Sequence, residues 1–187
     1  PAISWWMQAM KADTLVLDAT EHFRKMTGRN RYKISGANNA ILLSVPLEGG
    51  REQRTPMADI RIAEGWWQVQ HWRTLVSVYN RAPYFFHYEP TLRPLFEASF
   101  SSLVDLNLAT IEWVMRQLKL EIEILEAETF VKTYPSEVID VREKVPNPAV
   151  MPVYHQVFED RIGFVPDASI LDALFCCGPA TVDLLKG

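Results

Sequence analysis

The sequence predicts an α/β domain: one layered unit with a mostly parallel sheet flanked by helices. Three observations carry this expectation. Short aliphatic and β-branched runs such as Thr14-Leu15-Val16-Leu17-Asp18 read as buried strands. Elsewhere, apolar residues recur at helical spacing, as in Leu103, Leu106, Ile111, Val114, Met115 and Leu118. A helix followed at once by a buried strand opens the chain, which is the order of an α/β unit.

The elements follow in turn. Ile3, Trp6, Met7 and Met10 lie on one face of a helix that ends near Asp13, and the strand at Thr14–Asp18 comes next. Arg29–Ile34 and Ile41–Val45 read as two strands joined by the turn-rich Ser35-Gly36-Ala37-Asn38-Asn39. The polar stretch from Pro46 to Pro56, with Gly49-Gly50 between Glu48 and Arg51, is a loop, and Ala58–Ile62 is another strand. A helix spans Trp66 to Asn80, with Val69, Trp72, Leu75 or Val76, and Tyr79 on its face, and it stops before Pro83. A shorter helical piece near Leu92–Ser99 precedes the long helix Leu103–Leu118, and Glu121–Leu125 reads as a strand. Glu128–Pro152 has no periodicity and several prolines, the mark of a functional or mobile loop. Val153–Phe158 leads into a last helix, capped by Ser169 or Asp167, carrying Ile170, Leu171, Leu174 and Phe175, and stopped by Gly178-Pro179. The strand pairs between Arg29 and Ile62 leave room for an antiparallel extension of the sheet.

At 187 residues the chain can bury a core without a metal or disulfide. Its net charge of −4 gives no general pull toward nucleic acid or anionic lipid. The two cysteines, Cys176 and Cys177, are adjacent, a poor geometry for a disulfide, and they suit a reducing, cytoplasmic compartment. No stretch is long and apolar enough to span a bilayer. A glycine-rich dinucleotide fingerprint, a Walker phosphate loop, a nucleophile elbow and metal-ligand spacing of the histidines are all lacking, so no cofactor or metal is expected.

Several residues could carry chemistry. Arg24, Lys25, Arg29, Arg31 and Lys33 form a basic cluster after the strand that ends at Asp18. Arg29 and Arg31 share strand parity, so both guanidiniums would face one side, an arrangement that can clamp a phosphate or carboxylate; the bland reading is a solvated charged face. His71 is either a proton shuttle or a hydrogen-bonded core histidine. Asp140 and Arg142 can pair to order a lid over a cleft, or form an ordinary surface ion pair. Tyr154 and Gln156 share a face and could hydrogen-bond a sugar hydroxyl, or belong to a half-buried strand. Asp172 sits inside an apolar helical run and must be either a bonded structural acid or a site residue.

These pieces together resemble the WbqC-like family of bacterial proteins. The resemblance rests on Phe164, Pro166, Ser169-Ile170, Asp172, Leu174-Phe175 and Gly178-Pro179, and on Arg29-Asn30-Arg31, Leu43-Ser44-Val45-Pro46 and Asp59-Ile60-Arg61-Ile62. It extends to Trp67, His71 and Trp72, to Tyr79 and Ala82-Pro83-Tyr84-Phe85, to Asp140 and Arg142, and to Tyr154, Gln156 and Phe158. The chain departs from the family where Asp167 and Cys176 replace its usual Asn, which changes hydrogen-bond capacity at both positions. It also begins at Pro1, where family members usually open with a further strand and loop, so the chain reads as one family domain over 1–187 lacking that first strand. The resemblance implies action on an activated or amino sugar in surface-polysaccharide biosynthesis, by aminoacyl or acyl transfer to a sugar amine. Arg29, Asn30 and Arg31 would hold a phosphate-bearing or nucleotide-linked sugar, His71 or Asp18 would take the amine proton, and Tyr154, Gln156, Asp172, Asp140 and Arg142 would orient the sugar or brace the pocket. The competing expectation is a non-catalytic binding or assembly module that uses Trp5, Trp6, Trp66, Trp67 and Trp72 as an aromatic surface. Association into an oligomer is left open.

Overall fold

The computed structural model describes residues 1–49, 55–142, 145 and 150–186. The part of the polar loop from Gly50 to Arg54, including Arg51, lies outside them. Helix α1 (Ile3–Ala9) leads into β1 (Thr14–Leu17), and the hairpin strands β2 (Arg31–Ser35) and β3 (Ala40–Ser44) follow. Helices α2 (Trp67–Tyr79), α3 (Phe85–Glu97) and α4 (Leu103–Leu118) come next, then β4 (Glu123–Glu126) and the short α5 (Glu159–Ile162). Helices α6 (Ile170–Cys177) and α7 (Thr181–Lys186) close the chain. The α/β class is borne out. Among the described residues the strands form two separate pairs: β1 runs parallel to β4, with Thr14 opposite Glu123 and Leu17 opposite Glu126, and β2 runs antiparallel to β3.

Local sequence explains most boundaries. Ser102 caps α4 by accepting from the Asp105 N–H, and Ser169 caps α6 by accepting from the Leu171 N–H. Gly178 ends α6 at φ 59°, and a Cβ there would lie 2.5 Å from the Tyr84 ring, so only glycine fits this approach. Pro179 then opens a single 3₁₀ turn, and α7 continues beyond the expected stop because proline is tolerated in a first helical turn.

Three expectations need correction. The segment at 58–62 is a 3₁₀ turn, Met57–Asp59, followed by single bridges from Arg61 to Ser102 and from Ile62 to Leu47, so it ties two elements together without extending a sheet. Helix α3 begins at Phe85, well before Leu92, despite Pro90 and Pro94 inside it. Both prolines lie four apart on the exposed stripe that starts at Phe86, where the carbonyls they leave unpaired can turn to water, while Phe85, Tyr88 and Leu92 anchor the opposite face. Strand β2 starts at Arg31 rather than Arg29, because the Arg29 carbonyl accepts from Asn107 Nδ2 instead of joining the ladder.

The core is aromatic, with Trp6, Tyr79, Tyr88, Phe85, Phe175 and Trp113 almost wholly buried. Asp172 sits within it at 0% exposure. Its carboxylate accepts from Tyr79 Oη (2.5 Å), Tyr154 Oη (2.8 Å), Gln156 Nε2 (3.1 Å) and the Ser35 N–H (3.3 Å). Burial pushes its pKa up, and these donors pull against that shift. Burial, with the facing carboxylate, also pushes both phenols well up, so they remain donors. The bonded structural acid is therefore the geometry found, and it joins β2, α2, α6 and the 154–156 segment at one point. Asp172→Ala strands the buried Tyr79 and Tyr154 hydroxyls, while Gln156 Nε2 keeps the Val165 carbonyl, and is expected to lower the unfolding free energy by about 3 kcal/mol in urea titrations, whereas Tyr154→Phe, which removes one donor, lowers it by about 1 kcal/mol.

Candidate functional site

A cavity of about 630 Å³ opens between the end of β1, the start of β2, helices α1, α3 and α4, and the N-terminus of α6. Its size lies within the range of small-molecule sites, roughly 300–1,000 Å³. Asp18 follows the last residue of β1 and folds back in a tight turn, accepting from the Thr20 N–H (3.0 Å), Thr20 Oγ1 (2.6 Å) and the Glu21 N–H (3.1 Å). Arg29 donates through Nε (3.0 Å) and Nη2 (2.6 Å) to Glu21 Oε1, and Nη2 also donates to the Arg142 carbonyl (2.7 Å). Asn30 is held on both sides of its backbone: Nδ2 donates to the Val45 carbonyl (2.9 Å), and the Val45 N–H donates to the Asn30 carbonyl (2.8 Å).

Arg142 is the most heavily bonded side chain of the rim. Nη1 donates to Asp18 Oδ2 (2.8 Å) and to the Val131 carbonyl (2.7 Å), Nη2 donates to Asp140 Oδ2 (2.7 Å), and Nε donates to Asp140 Oδ1 (3.0 Å). The Phe130 and Tyr134 rings lie 5.7 and 4.6 Å from the guanidinium carbon. One side chain thus pins the long segment after β4 to the end of β1. Its hydrogen bonds hold the Asp140 pKa below the ordinary carboxylate value. At Asp18 burial raises the pKa, but the bonds from Thr20, Arg142 and Glu21 outweigh it and leave the pKa lowered.

Two polar atoms among these cavity-lining residues are buried without a hydrogen-bond partner: Arg31 Nε and Asn30 Oδ1. The carboxylates Asp18, Glu21 and Asp167 line the same cavity as the guanidiniums of Arg29, Arg31 and Arg142. Arg29 and Arg142 are each satisfied by a carboxylate, while among the described residues none pairs with Arg31, whose Nη1 donates to Met26 Sδ. A cavity-lining guanidinium with no carboxylate partner suits a ligand that carries an anionic group.

Of the residues singled out from sequence, Asp18, Arg29, Asn30, Arg31 and Arg142 line the cavity, and Asp140 joins it through Arg142. Tyr154, Gln156 and Asp172 meet instead in the buried cluster. His71 is buried between the rings of Trp67 and Tyr32; its Nδ1 lies 3.2 Å from Tyr32 Oη, and its ring also engages the Ser44 backbone. Tyr32 lines the cavity and His71 does not, so the histidine stands behind the tyrosine. Asp167, at φ 51°, accepts from Ser4 N–H (2.9 Å) and Ser4 Oγ (3.0 Å). Cys176 and Cys177 are free thiols, raised by burial, Cys177 to about 11. Of the five tryptophans proposed as a surface, Trp6 and Trp67 are buried, Trp5 and Trp72 half-buried, and Trp66 is 76% exposed, so they form no common face.

Sequence reasoning passed over Glu21, Asn107 and Tyr32. Asn107 had a visible signal, being a polar residue on the helical stripe between Leu106 and Ile111. Tyr32 was flanked by two basic residues of its own strand. Glu21 had none, because its pairing with Arg29 depends on the path of the 18–30 loop.

The class defined by this arrangement is a mixed α/β fold with a cavity at the end of a parallel strand pair, rimmed by ion-paired arginines. The chain belongs to the WbqC-like protein family, whose match covers residues 1–147. That span takes in the cavity's arginines and stops before the Gly163–Pro179 stretch. Neither the curated proteins nor the solved structures offer a match.

Two outcomes follow from the geometry. Arg142→Ala leaves the nearly buried Asp18 uncompensated and is expected to lower stability by about 2–3 kcal/mol, with faster amide exchange in 128–142 read by mass spectrometry. His71 has a folded pKa lowered by burial from the ordinary 6.5, so its contribution to stability is complete above pH 6.5 and is lost as the pH falls through the folded value. Urea midpoints measured from pH 7.5 down to about pH 5 should therefore fall more steeply for the wild type than for His71→Phe.

Proposed function

We propose that the chain is a group-transfer enzyme acting on an activated or amino sugar in bacterial surface-polysaccharide biosynthesis. Membership of the WbqC-like family supports the setting, and the site chemistry supports the form of the reaction. The observation that carries the reading is a ligand-sized cavity lined by Arg31, whose guanidinium has no carboxylate partner among the described residues.

In this reading Arg31 binds a phosphate of the nucleotide-linked sugar or of the acyl donor, and Asn30 lines the cavity beside it. Arg29, bonded to Glu21 and to the Arg142 carbonyl, holds the rim in register and adds positive potential. Asp18, kept ionised by its donors, attracts the substrate ammonium and orients the amine. The amine attacks the acyl carbon of an activated donor; the new N–C bond forms as the bond from that carbon to the leaving group breaks. The amine proton passes to Tyr32 Oη as the phenol hands its own proton to neutral His71 Nδ1, so His71 is the base and Tyr32 the relay. Burial lowers the His71 pKa and keeps the ring neutral at pH 7. Asp140 and Arg142 keep the long loop at the rim, and Tyr154, Gln156 and Asp172 brace β2 from behind. No helix among the described residues is long and apolar enough to cross a membrane, and a small polar substrate with paired free thiols fits a cytoplasmic setting.

The test is calorimetric titration with a panel of nucleotide-linked and phosphorylated amino sugars. Binding by the wild type is expected to weaken roughly 10–100-fold in Arg31→Gln, the loss of one charge-assisted contact. His71→Phe should bind normally yet lose turnover, and wild-type turnover should fall below pH 6.5 as His71 takes up a proton. Absence of heat across the whole panel would remove the proposal.

A further inference from the structure

The cavity wall changes character along α4. Asn107, Thr110, Ile111 and Val114 all line it at helical spacing, one face of the helix spanning about 10 Å. At one end Asn107 Nδ2 donates to the Arg29 carbonyl, which places that end beside the Arg29–Arg31 segment. Toward the other end Trp113 Nε1 donates to Thr91 Oγ1 of α3, which brings up Leu92 and Leu95. The face runs from amide to hydroxyl to aliphatic side chains. A sugar or nucleotide would leave the aliphatic end without a polar partner, since hydroxyls there would have to give up water and find nothing to bond.

We infer that the cavity takes an amphipathic donor: an anionic head at Arg31, carrying a hydrocarbon acyl chain that lies along α4 toward Leu92 and Leu95. This deepens the group-transfer reading above and rests on Arg31 as the anion contact. It selects a hydrocarbon acyl group over a small polar aminoacyl unit as the cargo, because the end of the cavity walled by Ile111, Val114, Leu92 and Leu95 offers dispersion and release of water but no carboxylate for an ammonium.

Unreactive alkyl phosphates test this directly: ethyl, butyl and hexyl phosphate, titrated calorimetrically against the intact chain. Affinity is expected to rise about fourfold for each methylene buried, so hexyl phosphate should bind about two orders of magnitude more tightly than ethyl. Thr110→Phe and Leu95→Trp, both at half-buried wall positions, fill the chamber from different helices. Each should abolish the chain-length gain while leaving ethyl phosphate unchanged, and circular dichroism checks that each variant is folded; either one suffices if the other is not. Equal affinity for ethyl and hexyl phosphate, or a gain that survives in a folded filling variant, overturns the inference. If nucleotide-linked sugars still bind in that case, the acyl chamber alone is lost. If neither sugars nor alkyl phosphates bind, the anion-binding reading of Arg31 falls as well.

Discussion

The carboxylate of Asp172 is the constraint on which the rest of the structure depends. A fully buried acid in an aromatic core is tolerable only if its oxygens are saturated, and here they are met by two phenols, an amide and a backbone N–H. Those donors come from different elements, so satisfying one residue fixes the relative positions of β2, α2, α6 and the segment before α5. The end of β2 is anchored through Ser35, and the rest of the strand follows its ladder with β3 back to Arg31. The cavity wall is therefore placed from the core outward.

Neighbouring arginines then take different parts because of the acids that reach them. Arg29 and Arg142 are drawn to Glu21, Asp18 and Asp140, and the pairs become tethers: Arg29 also donates to the Arg142 carbonyl in the loop after β4, and Arg142 reaches back to the Asp18 carboxylate at the end of β1. Their charges are spent locally. Arg31 sits at the start of a strand whose partner residue is Ser44, is paired with no carboxylate among the described residues, and lines the cavity. Selectivity in such a site comes from which charge is left unpaired rather than from the sum of charges, since the three lining carboxylates equal the three lining arginines in number.

The tyrosine at 32 is placed by the same division of labour. Its ring packs against His71 while its hydroxyl contacts the imidazole, so a titratable group is kept dry and neutral behind a residue that can touch a ligand. A histidine open to the cavity would be solvated and charged over more of the neutral range.

How much could be read from the chain depends on the range of the interaction. The α/β class, the span of α4 within Leu103–Leu118, the Ser169 cap, the break at Gly178 and the hairpin at 31–44 all follow from periodicity, capping and turn chemistry, which act over a few residues. Asp172 was visible as an anomaly, a carboxylate in an apolar stripe, but not as a hub, because its donors lie up to 137 positions away. Strand parity put Arg29 and Arg31 on one face, yet β2 begins only at Arg31 and Glu21 turns Arg29 aside, a matter of how one loop crosses another. The helical piece expected near Leu92–Ser99 starts earlier, at Phe85, because burial of Phe85, Tyr88 and Leu92 holds α3 together despite Pro90 and Pro94. The sequence by itself determined the elements and the inventory of charges, since local sterics and hydrogen bonding are encoded within each segment. Only the tertiary structure decided which charges neutralise one another and which polar atoms stay unpaired, because pairing over a few ångströms depends on contacts that chain order does not specify.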